Sequence, residues 1–220
     1  MNPALSKISD HMRNLGLAAL AHANRHSAYY NPETPMWAEM SVLQAAHAAE
    51  ILIKSCIAQE HPLLIFEHLP KNSEDAVSFE SLFQKGRTFE WQHLPDRLWA
   101  TTGITIPNLE TYTEFGKLRN GIQHFASPPS NINLSEKTLR FVFDVIDPFI
   151  HKCWGLYAID FDEDDASGEC FPPVLINYQI EFLISQNVAI NSEYWSVDWT
   201  NVNVDYRNLI TKRIEEALRK

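Results

Sequence analysis

The chain has 220 residues, of which 45% are hydrophobic and 21% charged, and it carries a formal net charge of −10. That length is enough to bury a core, and the composition lies near the average of soluble globular proteins rather than of disordered ones. The acidic balance excludes a histone-like coat for nucleic acid, whose affinity comes from many Lys and Arg contacts to phosphate, while leaving room for a small basic cleft.

Three cysteines, Cys56, Cys153 and Cys170, form no C-x-x-C pair and read as the reduced thiols of a cytosolic protein. No run approaches the ~20 apolar residues of a membrane span. The stretch Leu15 to Leu20 followed by Ala21-His22-Ala23 mimics a leader with its cleavage site. Its apolar core is short and Asp10 stands beside Lys7 and Arg13, so a signal peptide is not expected.

Asn2 and Pro3 suit the cap and first turn of a helix. Leu5, Ile8, Met12, Leu15 and Ala19 then recur at spacings of three and four, predicting an amphipathic helix to about residue 26. Tyr29-Tyr30-Asn31-Pro32 ends it. Thr34-Pro35 opens a second helix from Met36 to about Gln59, apolar on most of its circumference and therefore central. His47, Glu50 and Lys54 are grouped on its polar side, where they read as a salt-bridged stripe or as groups reaching a neighbouring helix. His22 and His26 lie one turn apart on the first helix. Without a Cys pair or an H-E-x-x-H motif they read as surface residues rather than zinc ligands.

His61-Pro62 marks a break, and residues 70 to 103 read as short helices and loops. Phe79, Leu82 and Phe83 are expected to form one buried patch, and Trp91, Leu94, Leu98 and Trp99 another. Gly103 and Pro107 precede a helix over about Asn108 to Ala126. Gly116 and Gly121 inside it each cost about 1 kcal/mol relative to alanine, which implies a close backbone approach or a loosened helix. After Ser127-Pro128-Pro129-Ser130, Asn133 and Glu136 resemble a capping box. Leu139, Val142, Ile146, Phe149, Cys153 and Leu156 mark one face of a long helix with a kink expected at Pro148.

The domain organisation read from these patterns is a helical bundle over 1–158, an acidic linker or loop over 159–170, and a C-terminal extension over 171–220. The acidic run Asp162-Glu163-Asp164-Asp165 lacks the ligand alternation and central glycine of an EF-hand and reads as a solvated loop. Residues 171 to 202 leave helix and strand both open. Val204 to Leu218 is a final amphipathic helix with Leu209, Ile210 and Ile214 inward. The fold class expected is all-α.

The stretch that carries chemistry runs from Phe115 to Phe125. At about 100° per residue, Phe115, Leu118, Ile122 and Phe125 share an apolar stripe, and Thr113, Lys117, Asn120 and His124 share a polar one on the opposite side. Arg119 falls on the flank. His124 lies in the last turn, where a helix C-terminus favours a protonated imidazole.

Arg119, the adjacent Asn120 and, after four intervening positions, His124 resemble the R-x(4-6)-H signature of the HEPN family, over roughly Leu5 to Leu156. The resemblance implies an all-α bundle, commonly a homodimer, and a metal-independent endoribonuclease without cofactor. It also implies a role as a toxin or antiviral effector in the cytoplasm, with an antitoxin or other regulatory partner protein. The matched residues would be catalytic: Arg119 and His124 directly, and Asn120 by orienting Arg119 or contacting phosphate. Lys117 would add positive charge for RNA, and Glu50 would support the site.

That chemistry suits these side chains. Cleavage of RNA without metal needs a base for the ribose 2′-hydroxyl, an acid for the departing oxygen, and stabilisation of a charged phosphorane. Histidine titrates near pH 6.5 and arginine presents a permanently charged, two-pronged donor. An i to i+5 pair nevertheless lies about 140° apart around a helix, so Arg119 and His124 of one chain diverge. Two copies packed about a two-fold axis would bring both pairs into one cleft. The competing reading is a non-catalytic module that docks a partner through the polar stripe. In that reading Arg119 pairs with a carboxylate such as Glu114, and His124 only caps its helix.

Overall fold

The computed structural model describes residues 5–29, 31–34, 36–69, 78–163 and 167–219. The expected Asn2–Pro3 cap, Tyr30, Pro35, and Asp164 and Asp165 lie outside these residues. The fold is all-α, with a single small two-stranded ribbon among the described residues.

Two long helices form its centre. Helix α1 (Ile8–Ala28) and helix α2 (Trp37–Glu60) run antiparallel. Ser9 and Ser55 each donate a hydroxyl hydrogen bond to the other's carbonyl oxygen, at 3.2 and 2.8 Å, and Gly16 sits over Leu52. A Cβ on Gly16 would stand 2.7 Å from Leu52 Cγ, so glycine lets the two backbones approach. Ala45, Ala46, Ala48 and Ala49 are all buried on α2. Their small side chains admit neighbours on several sides, which is why this helix is enclosed nearly all round.

His61 leaves the helix in an extended conformation, and a 3₁₀ turn, Pro62–Ile65, leads into strand β1 (Phe66–His68). That strand pairs antiparallel with β2 (Arg87–Thr88), a ribbon the sequence reading did not contain. Between them helix α3 (Phe79–Lys85) starts on a Ser78 cap. Of the expected patch only Leu82 is buried; Phe79 and Phe83 are exposed, because so short a helix offers the core a single turn. The second patch splits in the same way. Leu94 and Leu98 of helix α4 (Leu94–Thr102) are fully buried, while Trp99 points to solvent.

Helix α5 (Leu109–His124) is capped by Asn108, which adopts a left-handed conformation (φ 45°) and accepts the Thr111 N–H on Oδ1 at 3.3 Å. Helix α6 (Leu134–Phe141) begins at Asn133, whose Oδ1 accepts the Glu136 N–H at 3.1 Å. A π-helical turn, Val142–Ile146, joins α6 to helix α7 (Asp147–Trp154). The distortion expected at Pro148 is taken up in this preceding turn, where the Asp147 N–H reaches back five residues to the Val142 carbonyl. Gly155 ends α7 in a left-handed conformation (φ 69°), so Leu156 lies beyond the helix.

The segment that left helix and strand open is helical where it is regular: α8 (Ser167–Asn177) and α9 (Gln186–Ile190), with 3₁₀ turns after them. Pro172 has no N–H to give the Gly168 carbonyl, and the Trp195 indole donates to that oxygen instead at 2.8 Å. Helix α10 (Val204–Leu218) closes the chain with Ile210 fully buried. Phe171, Leu175, Ile176, Ile180 and Phe182 belong to the same hydrophobic cluster as Leu52, Leu139 and Phe141. The Asp147 carboxylate ties the parts together, accepting the Ala158 N–H at 2.8 Å and the Leu183 N–H at 2.9 Å. No helix among the described residues is long and apolar enough to cross a membrane.

Candidate functional site

Helix α5 lies across α2 with Tyr112, Phe115 and Gly116 buried. Phe115 stacks on Phe141 with ring centres 3.8 Å apart, which fixes the rotation of the helix about its axis. Thr113, Lys117, Asn120 and His124 then face outward and all four are exposed. Phe125 does not complete the apolar stripe as expected: it is 93% exposed. The helix ends one residue earlier, and the Phe125 backbone (φ −136°, ψ −75°) turns the side chain away from the core.

Arg119, on the flank, is directed back toward α2. Its Nη1 donates to Asn120 Oδ1 at 2.9 Å, and its Nη2 lies 3.7 Å from Glu50 Oε2. The carboxylate partner is therefore Glu50 rather than the expected Glu114. Glu50 also accepts a hydrogen bond from Lys54 Nζ at 2.6 Å, and Lys54 in turn donates to Thr88 Oγ1 at 3.0 Å. The result is a line of charge, Lys54–Glu50–Arg119–Asn120, running from the bundle interior to the surface. Glu50 thus reaches α5 through Arg119 and not through His124, while His47 stays exposed on α2.

His124 is the last residue of α5, its ring in solvent. Among the described residues it makes no side-chain hydrogen bond or ion pair, so both ring nitrogens are open to a proton or a ligand. Within one chain Arg119 and His124 stay apart, as their spacing on a straight helix requires.

Two aromatic residues shape the neighbouring surface: Tyr112, which the sequence reading passed over, and Trp91, which it placed in a buried patch and not at this site. Tyr112 is buried, its hydroxyl donates to the Trp91 carbonyl at 2.9 Å, and its ring stacks on Trp91 at 4.2 Å. Burial, reinforced by the nearby Glu50 charge, pushes its phenol well above the ordinary tyrosine range. The Trp91 indole lies against Gly116, where a Cβ would collide with its Nε1. That nitrogen is buried without a hydrogen-bond partner among the described residues. Trp91, Tyr112, Gly116, Lys117 and Asn120 line a cavity of about 330 Å³. Gly116 signalled a close approach in the sequence, which Trp91 makes, but the cavity itself arises only from packing of α5 against the turn at Trp91.

Two further groupings depend on tertiary contact. Cys56 and Cys153, 97 positions apart, bring their sulfurs within 3.6 Å as free thiols. His22 and His26 are joined on α1 by Glu163 from the segment after α7. No protein-family model matches the chain, and neither a curated protein nor a solved structure matches it.

Proposed function

We propose that the chain is a cytosolic, metal-independent endoribonuclease of the HEPN type, possessing a composite site formed when two copies pair along their α5 helices. The observation that carries this reading is the exposure of His124 on one stripe with Asn120 and Lys117, beside an arginine already oriented by hydrogen bonding. In such a cleft one His124 removes the proton from the ribose 2′-hydroxyl, and the oxygen attacks the adjacent phosphorus. Arg119 stabilises the charge that builds on the phosphorane, Asn120 holds the guanidinium, and the second His124 protonates the departing 5′-oxygen. Lys117 adds positive potential at the rim, and Glu50 keeps Arg119 in place. A toxin or antiviral role, with a partner protein holding activity in check, fits this chemistry.

The purified chain incubated with single-stranded RNA in EDTA is expected to give fragments ending in 2′,3′-cyclic phosphate and 5′-hydroxyl. RNA left intact over a range of pH and protein concentration would overturn the proposal.

A second reading draws on the Glu50 contact. That carboxylate competes with phosphate for Arg119, and the chain as a whole is acidic. A non-catalytic module that docks a partner protein through the Lys117–Asn120 stripe satisfies both facts. It is favoured if substitution of Lys117 and Asn120 abolishes complex formation in a chain with no RNA turnover.

A further inference from the structure

The geometry points to a binding site for a zinc-class divalent cation formed by His22, His26 and Glu163, at a place separate from α5. One nitrogen of each imidazole and one oxygen of the carboxylate all lie within 4.8 Å of one another. The two histidines are one helical turn apart on α1, so both rings rise from the same face. Glu163 is already in contact with His22 Nδ1.

Two histidines and a carboxylate are a donor set that zinc accepts, with metal–ligand distances of about 2.0–2.2 Å. Donors around tetrahedral zinc stand roughly 3.3 Å apart, so the widest-spaced pair needs to close by at most about 1.5 Å and the touching His22–Glu163 pair to open slightly. His22 and Glu163 have exposed side chains free to make that movement, at 48% and 37% exposure. His26 is the fixed member, packed against the Trp37 ring at 4.6 Å. Its Nδ1 is buried and has no hydrogen-bond partner among the described residues, a cost that the protein bears without return unless a ligand or a movement of the ring satisfies it.

The segment bearing Glu163 is held in register independently of any ion. Asn24, on the same helix between the two histidines, donates from Nδ2 to the Ala158 carbonyl at 3.0 Å and to the Phe161 carbonyl at 2.7 Å. Glu163 therefore arrives at a prepared position. A cation there clips α1 to the acidic segment that precedes α8, joining positions far apart in sequence, and leaves its fourth position to water. Binding to the folded chain alone raises stability.

Calorimetric titration of the intact, metal-free chain with zinc chloride tests this, with magnesium chloride as the hard-cation control. One zinc per chain is expected, no comparable magnesium binding, and a rise in melting temperature on adding zinc. His22→Ala and Glu163→Gln each change an exposed side chain. Each is expected to weaken zinc binding at least tenfold and to remove the thermal shift, with unchanged circular dichroism. Absence of stoichiometric zinc binding overturns the proposal, and so does binding that both variants retain in full.

Discussion

The two glycines of α5 have opposite surroundings although the sequence gives them the same helical context. A Cβ on Gly116 would run into Trp91 Nε1 and stand 2.8 Å from its Cδ1, whereas Gly121 has nothing within 4 Å. Gly116→Ala is therefore expected to destabilise the fold by about 1–3 kcal/mol through overpacking. Gly121→Ala is expected to be neutral or stabilising by up to about 1 kcal/mol through helix propensity. Urea unfolding of the two variants checks the contrast, and equal effects would contradict the Trp91 contact.

Asp147 is a second single-residue determinant. Burial, acting against its two backbone hydrogen bonds, pushes its carboxyl up to about 6. A folded pKa above the unfolded value near 3.9 means that the native state binds the proton more tightly. This group's contribution is thus fully present below about pH 4 and is lost as pH rises through 6, an effect of about 3 kcal/mol. Asp144 and Asp160 are shifted in the same direction, also first by burial. Asp147→Asn is expected to flatten the fall in stability between pH 4 and 6. An unchanged slope in melting temperature against pH would assign it elsewhere.

Among the elements, α2 and α5 carry the site between them. Lys54 is only 5% exposed and Glu50 only 20%, so Glu50→Gln leaves a buried ammonium without its counter-charge, with neutral acceptors in the amide oxygen and Thr88. A loss of about 3 kcal/mol is expected, since breaking one side of a buried pair costs more than the pair contributes. Arg119 stands farther from Glu50 and is more exposed, and Arg119→Ala is expected to cost under about 1 kcal/mol. Thermal melts that rank the two variants in the opposite order would show that Arg119, not Lys54, depends on Glu50.

The boundaries of α2, which has no side-chain cap, were legible from the Thr34-Pro35 and His61-Pro62 breaks that flank it. Those of α5 and α10 were legible because cap and apolar period agree there, with Asn108 and Asn203 as the caps and Ile210 as the buried anchor. The outward stripe of α5 was legible for the same reason. The helices within residues 171 to 202 were not, since Pro172 and Pro173 argue against the first of them, which is completed by the distant Trp195. Phe79, Phe83 and Trp99 were misplaced because hydrophobicity says which residues favour burial, not how many a short helix can enclose. The Glu50–Arg119 contact and the Trp91–Tyr112 stack depend on how elements cross, which no single-helix pattern contains.

Across the whole molecule, one hydrophobic cluster extends from α1 to α10, and Lys117, Asn120 and His124 lie on its surface. The core holds α5 in one rotation, with Phe115 inward and His124 outward. Each chain on its own holds its imidazole apart from its arginine, and the proposed pairing of two copies would bring one chain's imidazole to the other's arginine. The most direct measurement is the single-turnover rate of RNA cleavage in EDTA by the wild-type chain and by His124→Ala, each checked for an unchanged melting temperature. The account predicts cleavage by the wild type and a loss of at least about 100-fold in the variant. Equal rates for the two chains would contradict it.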